Sequence, residues 1–210
     1  MSDSVRDRVL AAALDEIPRD GFTNAVLAGA AERAGVNKRE MLDTFPHGAS
    51  SLVEAFSHWA DAKMVETMKH DTSERIRDRV RNAVKARIEA LVPHKDAARR
   101  AAAFLSLPQH AALAARLTMR SVDLMWRTAG DTSSDFSYYT KRAMLSGVYA
   151  STLLYWLSDS SEGNSATWEF LDHRIANVMQ LEKFRGEAEK AFAKLPNPFD
   201  ILNNHRGGRR

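Results

Sequence analysis

Three glutamates in this chain precede a histidine by four residues: Glu54 and His58, Glu66 and His70, and Glu169 and His173. Carboxylate and imidazole groups can bind metal ions, and on a helix this spacing places both groups on one face. A di-iron site in a helical bundle requires two Glu-x-x-His motifs, however, and the sequence contains none. The His-Glu-x-x-His motif of zinc enzymes is also absent. We therefore interpret the pairs as solvated surface partners and predict no metal site.

Residues for covalent catalysis and nucleotide binding are missing as well. The chain has no cysteine, which excludes disulfides, thiol catalysis and thiolate metal sites. The motifs G-x-S-x-G, G-x-G-x-x-G and the phosphate-binding P-loop do not occur. This favours a binding protein without a cofactor over an enzyme. A helical enzyme stays open as an alternative, because two separated carboxylates can suffice for acid–base chemistry.

The charges of the chain nearly cancel, with 30 lysines and arginines against 27 aspartates and glutamates. The surplus consists of Arg206, Arg209 and Arg210, so the remainder is formally neutral. Nucleic-acid-binding domains usually carry a basic face, and we therefore expect no nucleic-acid partner. Residues 1–7 are polar and contain no apolar leader segment, from which we expect a bacterial protein.

The spacing of apolar residues predicts an all-α protein, because glycines and prolines are few and fall between stretches with a helical period. The expected helices cover about Ser4–Ile17, Val26–Ala34, Lys38–Thr44, Ala49–Lys69, Ser73–Val92, His94–Leu105, Pro108–Arg127, Ser165–Phe184 and Lys183–Leu195. The Ser73–Val92 helix is predicted to present a basic outer face.

The most apolar stretch runs from Ala143 to Ser158 and contains no charged residue. A transmembrane helix needs about 20 apolar residues. This stretch is shorter and includes Ser146, Gly147 and Ser151. We predict a central helix that is buried on all sides.

A glycine turn in Ala30–Asn37 joins two short predicted helices. Gly35 can supply a positive φ, and Asn37 can cap the helix that begins at Lys38. The arrangement resembles the N-terminal helix-turn-helix of TetR-type regulators, in which the second helix enters the DNA major groove. The resemblance implies a TetR-like fold.

The second helix of this motif departs from the DNA-binding pattern. TetR-type regulators usually have a small residue at the position of Arg39 and a phosphate-contacting tyrosine at that of Leu42. Residues 22–47 also carry no net charge, whereas DNA affinity depends on neutralising phosphates. We therefore expect no DNA binding and keep a ligand-responsive TetR-type repressor as the alternative function.

Two blocks in the second half of the chain are more specific. They are W-x-x-A-G-D-x-S-x-D-F-x-Y-Y-T-K-R-A at 126–143 and T-W-x-F-L-x-x-R-I at 167–175. They resemble the lipid-binding accessory proteins of ubiquinone biosynthesis, which have a TetR-like fold without DNA binding. The resemblance implies a non-enzymatic protein that presents a polyprenylated intermediate at the membrane to a ring hydroxylase.

The same resemblance sets the expected organisation and partners. A degenerate helix-turn-helix and connecting helix occupy 1–70, a lipid- and partner-binding region 71–182, an amphipathic helix 183–196 and a disordered basic tail 197–210. Expected partners are an isoprenoid quinone intermediate or phospholipid, the hydroxylase and a second copy of the chain in a homodimer. The expected location is the cytoplasm, peripheral on the bacterial inner membrane, or the matrix side of the mitochondrial inner membrane in a eukaryote.

An aromatic stripe in the first block is the predicted partner face. Tyr138, Arg142, Leu145 and Tyr149 share one side of a helix, and aromatic residues with arginine are typical of binding surfaces. We assign partner contacts to Trp126, Asp135, Tyr138, Tyr139 and Arg142. For Tyr149 and Tyr155, a core position with a hydrogen-bonded hydroxyl is the alternative.

An isoprenoid needs a long apolar cavity with few polar groups. Our candidates for its lining are Phe104, Leu113, Leu117, Met144, Val148, Leu153, Trp156, Leu171 and Met179, and plain core packing is the alternative for each of them. The last predicted helix has an apolar stripe beside lysines and an arginine, a pattern typical of interfacial helices. We expect its Phe184, Phe192 and Leu195 to bind the membrane, or else to pack on the bundle.

Overall fold

The computed structural model describes residues 4–131 and 136–177, except for the side chains of residues 136–138. Every regular element in these ranges is helical, which confirms the predicted all-α class. The α-helices are α1 (Val5–Leu14), α2 (Ile17–Asp20), α3 (Asn24–Arg33), α4 (Lys38–Thr44), α5 (Ala49–Met68), α6 (Ile76–Leu91), α7 (Lys95–Leu105), α8 (Ala111–Thr128), α9 (Phe136–Ser158) and α10 (165–177).

Short 3-10 turns at Val92–His94, Pro108–His110 and Glu162–Asn164 precede α7, α8 and α10. The chain divides into two units, Met1–Leu171 and Asp172–Arg210. All contacts described below lie in the first unit.

Pro18 begins a helix here instead of ending one. The sequence predicted a single helix over Ser4–Ile17, but α1 ends at Leu14 and Pro18 lies in the first turn of α2. Proline fits this position, because the first backbone N–H groups of a helix have no intrahelical acceptor to lose.

The turn between α3 and α4 has the predicted geometry. Gly35 has a φ of 67°, which is the left-handed conformation that glycine adopts without strain. The Asn37 side chain accepts a hydrogen bond from the Glu40 backbone N–H at 3.0 Å and caps α4. The helix-turn-helix predicted at these residues is confirmed.

The central position in the first unit belongs to α5, which packs against α1, α6 and α8. It buries residues around much of its circumference, including Leu52, Val53, Phe56, Asp61 and Met64. A helix contacted on several sides can bury more than one stripe, and α5 is therefore the helix around which the others are arranged.

The prediction that the Ala143–Ser158 stretch is buried on all sides is wrong. These residues form most of α9, and only the stripe through Leu145, Tyr149 and Trp156 is buried. On the opposite side Leu154 is 62% exposed. The helices that contact α9 are α6, α7 and α8, and they cover its buried stripe. The opposite side of α9 is therefore exposed, even though it is apolar. No helix in the described part of the chain is long and apolar enough to span a membrane.

Three cations of α7 hold it to its neighbours by binding backbone carbonyls. Lys95 Nζ donates to the Asp159 carbonyl at 2.6 Å, and Arg99 Nη2 donates to the Leu157 carbonyl at 2.8 Å. On the other side, Arg100 Nε donates to the Pro18 carbonyl at 3.1 Å. Backbone carbonyls at helix ends lack intrahelical hydrogen-bond donors, and the three cations provide such donors. The bonds thereby fix α7 between α2 and α9.

Asp159 connects the end of α9 to the start of α10. Its carboxylate accepts hydrogen bonds from the backbone N–H groups of Ser161 at 2.8 Å and Thr167 at 3.0 Å, and from the Thr167 hydroxyl. Burial would raise the pKa of Asp159, but these bonds outweigh it and hold the pKa well below the usual value. The charged carboxylate thus stabilises the folded chain as a helix cap.

We expect Asp159→Asn to lower the free energy of unfolding by about 1 kcal/mol at neutral pH, because it weakens these bonds. The folded pKa of Asp159 is depressed, so its contribution is present above an unfolded pKa of about 4 and lost as pH falls below it. Urea unfolding should show the difference between variant and wild type shrinking in acid. The control is Asp96→Asn at an exposed ion pair with Arg99, which should cost less. A loss independent of pH would contradict the assignment.

Candidate functional site

A cavity of about 270 Å³ lies among α5, α6, α7, α8 and α9. Much of its wall consists of small or aliphatic side chains: Val53, Leu91, Ala98, Ala101, Ala102, Leu105, Ala114, Leu117, Ala150, Leu153 and Leu154. The alanines of α7 leave the space open, because their methyl side chains are too small to fill it. An apolar lining with few polar groups is the usual composition of a ligand site.

Five polar residues form a connected cluster at one side of this cavity, and we call Ser57, Asp61, Arg87, Ser121 and Tyr149 the polar floor. All but Asp61 line the cavity. Arg87 Nε donates to Asp61 Oδ1 at 2.7 Å, and the Ser121 hydroxyl donates to the same oxygen at 2.7 Å. Arg87 also donates from Nη1 to the Tyr149 hydroxyl and from Nη2 to Ser57 Oγ at 2.9 Å. The floor therefore joins α5, α6, α8 and α9.

The ionisation states in the floor are fixed by burial and by mutual contact. Arg87, Asp61 and Tyr149 are each at most 4% exposed. Burial alone would lower the pKa of Arg87, but Tyr149 and Asp61 together raise it above its usual value. Burial raises the pKa of Tyr149 despite the opposing effect of Arg87. The tyrosine is therefore a protonated hydrogen-bond donor at any physiological pH.

The cavity reaches the surface beside Ser106, Ala150 and Leu154, which are all exposed. Its volume exceeds that of an engineered cavity of about 150 Å³ that binds benzene. It lies below the range of about 300–1,000 Å³ that encloses a drug-sized molecule. It can therefore enclose a ring or a short chain, and the rest of a longer ligand would extend through the mouth.

Two of the nine predicted lipid-contacting residues, Leu117 and Leu153, line this cavity. The others have different positions. Val148, Trp156 and Leu171 are buried without lining it, and Met144 and Leu113 are half-buried elsewhere. Phe104 stacks on the His110 ring with centroids 4.0 Å apart, and Met179 lies outside the described residues.

Sequence reasoning missed Arg87, the largest polar residue of the site. The arginines of α6 were all assigned to a basic outer face, but Arg87 follows Ala83 and Val84 by one turn on the buried side. That position was the available signal, since a charge within an apolar stripe requires a buried partner. Its partner Asp61 lies 26 residues earlier and could not be identified from helical spacing.

The predicted partner face is only partly on the surface. Tyr139 is 68% exposed, whereas Arg142 is 3% exposed, so the assignment of Arg142 to a partner contact is wrong. Arg142 lies on the same stripe as Leu145 and Tyr149, and that stripe faces the interior. Its guanidinium pairs with Asp123 at 2.8 Å and with Asp131 at 3.4 Å.

The other residues assigned to the partner face are placed as follows. Trp126 is half-buried, and its Nε1 donates to the Lys141 carbonyl at 3.3 Å. Asp135 and the side chain of Tyr138 lie outside what the structure describes. For Tyr149 and Tyr155 the sequence left open a core position or a place on the partner face. Tyr149 has the core position, while Tyr155 is 39% exposed and stacks on Phe170.

The glutamate–histidine pairs do not form a metal site in the part of the chain that the structure describes, where no cluster of three potential ligands occurs. His58 Nε2 lies 3.8 Å from Glu54, and Arg116 also binds that carboxylate at 3.0 Å. Partial burial lowers the pKa of His58. Glu66 binds Lys69 at 2.6 Å.

We expect Arg87→Met to lower the free energy of unfolding by about 3–5 kcal/mol, because it leaves the buried Asp61 carboxylate without its closest counter-charge. The double variant Asp61→Leu/Arg87→Met removes both charges and should recover most of this loss. Arg116→Met is the control, since its ion pair is exposed and should contribute no more than about 1 kcal/mol. Urea unfolding followed by circular dichroism measures all three. A double variant no more stable than Arg87→Met would contradict the pairing.

Comparison with known proteins connects this chain to one family. Residues 111–182 match the COQ9 family model. The chain is 34% identical over 193 residues to the mitochondrial ubiquinone biosynthesis protein COQ9 of Drosophila melanogaster, covering 89% of this chain and 59% of that protein. It is 30% identical over 188 residues to human COQ9, covering 85% of this chain and 59% of that protein. The chain thus spans about three fifths of the length of these relatives.

Solved structures support the fold independently. A TetR transcriptional regulator from Nitrosomonas europaea has a TM-score of 0.64 at 19% identity, over 81% of this chain and 95% of that one. A TetR regulator from Rhodococcus has a TM-score of 0.59 at 17% identity, over 82% of this chain and 97% of that one. Identities this low show a shared fold alone. The resemblance inferred from the two sequence blocks is therefore confirmed: the chain is similar to the COQ9 proteins of ubiquinone biosynthesis over most of its length and has a TetR-like fold.

Proposed function

We propose that the chain is a non-enzymatic accessory protein of ubiquinone biosynthesis that binds an isoprenoid lipid in the cavity and presents it to a ring hydroxylase. The observation that carries this proposal is an apolar cavity open at one end, in a chain similar to COQ9. The charge of Arg87 is paired with Asp61, whose Oδ1 also accepts from Ser121, as expected for binding and not for acid–base chemistry.

The size of the cavity supports presentation over storage. At about 270 Å³ it encloses only one part of a polyprenylated molecule. The remainder must lie outside the mouth, where Leu154 offers an exposed apolar surface. A lipid of which only one part is enclosed can contact an enzyme or a membrane while it is still bound to the protein. This suits a carrier that works beside an enzyme and a membrane.

Tyr139 is our proposed anchor for the hydroxylase. It is exposed, and it lies on α9 three residues before Arg142, whose buried ion pairs hold that part of the helix in place. An exposed aromatic side chain on a rigid support loses little conformational entropy on binding. Trp126 and Lys141 lie nearby, with the Lys141 Nζ 5.5 Å from the Trp126 ring centroid.

Three further parts of the proposal rest on the family resemblance and on sequence. Phe184, Phe192 and Leu195, proposed to contact the membrane, lie outside the described residues. The curated relatives are mitochondrial by name, and we propose peripheral attachment to an energy-transducing inner membrane in either kind of cell. We also propose a homodimer, for which the exposed side of α9 at Ala143 and Gly147 would allow close approach of a second helix.

The alternative of a DNA-binding repressor gains no support from the helix-turn-helix. Arg33 is turned toward α1, where it donates to the Ala12 carbonyl at 3.0 Å, and it pairs with Glu16 between α1 and α2 at 2.5 Å. The exposed cations of α4, Lys38 and Arg39, accompany Glu40 and Asp43 on the same short helix. Acidic residues repel phosphates, so this surface favours the accessory function.

We expect Ala102→Phe to reduce the lipid that co-purifies with the protein roughly tenfold, because the added ring would occupy the cavity. Ala103→Phe is the matched control, since Ala103 is exposed and does not line the cavity. Mass spectrometry of extracted lipid gives the amounts, and thermal melting confirms the fold of both variants. Equal amounts of co-purifying lipid in the wild type and both variants would show that the lipid does not bind in this cavity.

We expect Tyr139→Ala to weaken binding of the pathway's ring hydroxylase by at least about tenfold, as is common when an aromatic anchor is truncated. Lipid content and melting temperature should stay near the wild-type values, because the side chain is mostly exposed. Leu42→Ala on α4 removes a similarly exposed side chain and should leave binding unchanged. Pull-down with titrated hydroxylase is the measurement, and undiminished binding by Tyr139→Ala would overturn this anchor.

A further inference from the structure

The mouth of the cavity carries exposed apolar side chains. Leu154 on α9 lines the cavity and is mostly exposed. Leu107, in the turn after α7, directly follows the lining residue Ser106 and is 44% exposed. We call Ser106, Leu107, Ala150 and Leu154, all of them exposed, the mouth surface. Exposed apolar side chains grouped at the opening of a pocket indicate a surface that contacts another molecule or a membrane.

The charges around the mouth surface favour an anionic partner. Its residues belong to two stretches, 97–122 and 136–158, that contain no aspartate or glutamate. Every lysine and arginine in these stretches is therefore a cation without an acidic neighbour in its own stretch. Arg116 and Arg120 are exposed on α8, although Glu54 of α5 partly neutralises Arg116 at 3.0 Å. The stretches that form the mouth supply no carboxylate to repel the phosphates of anionic phospholipid.

Other exposed apolar side chains have acidic neighbours. Leu42 on α4 is followed directly by Asp43, and Ile76 at the start of α6 lies two residues before Asp78. A carboxylate beside an apolar side chain raises the cost of placing that side chain in a bilayer. The combination of exposed leucines with an acid-free surrounding sequence therefore distinguishes the mouth surface from these two positions.

The hydroxyl groups near the mouth are already hydrogen-bonded within their own helices. The Ser106 hydroxyl donates to the Ala103 carbonyl at 2.8 Å, and the Ser158 hydroxyl, one turn beyond Leu154, donates to the Tyr155 carbonyl at 2.9 Å. A polar group that keeps its hydrogen bond costs little when water is removed from it. The mouth surface can therefore be covered by lipid without leaving these donors unpaired.

Resting on the proposed lipid-binding function, we propose that the mouth surface docks on a membrane that contains anionic phospholipid. The apolar chain of an isoprenoid is costly to expose to water, so a mouth that lies against the bilayer lets that chain enter the cavity directly. The leucines then lie among the lipids, and the ring that the hydroxylase modifies remains outside the cavity. This contact is additional to the one proposed for Phe184, Phe192 and Leu195.

The test depends on the absence of cysteine from the chain, which allows a single introduced cysteine to be labelled. Leu107→Cys and Ser158→Cys place an environment-sensitive nitrobenzoxadiazole dye on two sides of the mouth, at exposed positions that do not line the cavity. On vesicles of phosphatidylcholine with about 30% phosphatidylglycerol, the emission of both dyes should at least about double and shift to shorter wavelength. Leu42→Cys is the matched control, and its dye should not respond.

A second measurement follows the transfer of an isoprenoid quinone from these vesicles to the protein by mass spectrometry. Leu107→Glu adds a carboxylate to the mouth surface without changing the cavity lining. It should slow the transfer at least about threefold, because the carboxylate repels phosphates and resists burial. Leu42→Glu, at a similarly exposed position, should leave the rate unchanged. The amount of lipid bound at saturation should equal the wild-type amount in both variants.

Dyes at positions 107 and 158 that do not respond to vesicles would overturn docking at the mouth and leave lipid binding in the cavity intact. A dye response that depends on protein concentration and not on vesicles would replace the membrane with a second copy of the chain. Dyes that respond in a protein that takes up no lipid would support the docking and contradict the proposed lipid-binding function instead.

Discussion

The buried ion pair between Asp61 and Arg87 is the interaction on which the rest of the site depends. Two charges removed from water are tolerated only when they meet each other and when their remaining hydrogen-bonding capacity is used. Ser121 and Tyr149 supply much of that capacity, so the pair fixes α5, α6, α8 and α9 at one place. These helices are held together at the cluster, and α7 contributes mostly alanines beside it, so a cavity remains there.

A second cluster of charged residues holds in place the helix that carries the proposed partner face. Arg142 binds Asp123 of α8 and Asp131 of the segment that follows it, and thereby anchors the first half of α9. Tyr139 is exposed less than one turn away. The two arginines thus have related roles, because each fixes a surface on which a ligand or a partner would act. Neither is available to contact a partner protein directly.

The comparison with TetR regulators shows how this fold can be compatible with the proposed accessory function. The helix-turn-helix is retained in its turn geometry, with Gly35 and Asn37 in their expected positions. Its second helix nevertheless offers balanced charges, whereas a phosphate surface requires an excess of cations. The cavity and the exposed part of α9 are formed by α5 to α9, outside the helix-turn-helix. Function therefore follows from these local surfaces and not from the fold as a whole.

The sequence by itself determined the helical class, the α3–α4 turn and the family resemblance, because these depend on local spacing and on short motifs. It could not determine which arginines lie inside. Helical periodicity gives the residues that share a face, but the direction of that face depends on the neighbouring helices. Arg87 and Arg142 are buried because Asp61 and Asp123, distant in sequence, come within hydrogen-bonding distance only in the folded chain. For the same reason α9, the most apolar segment, lies with one side exposed, whereas α5 occupies the centre.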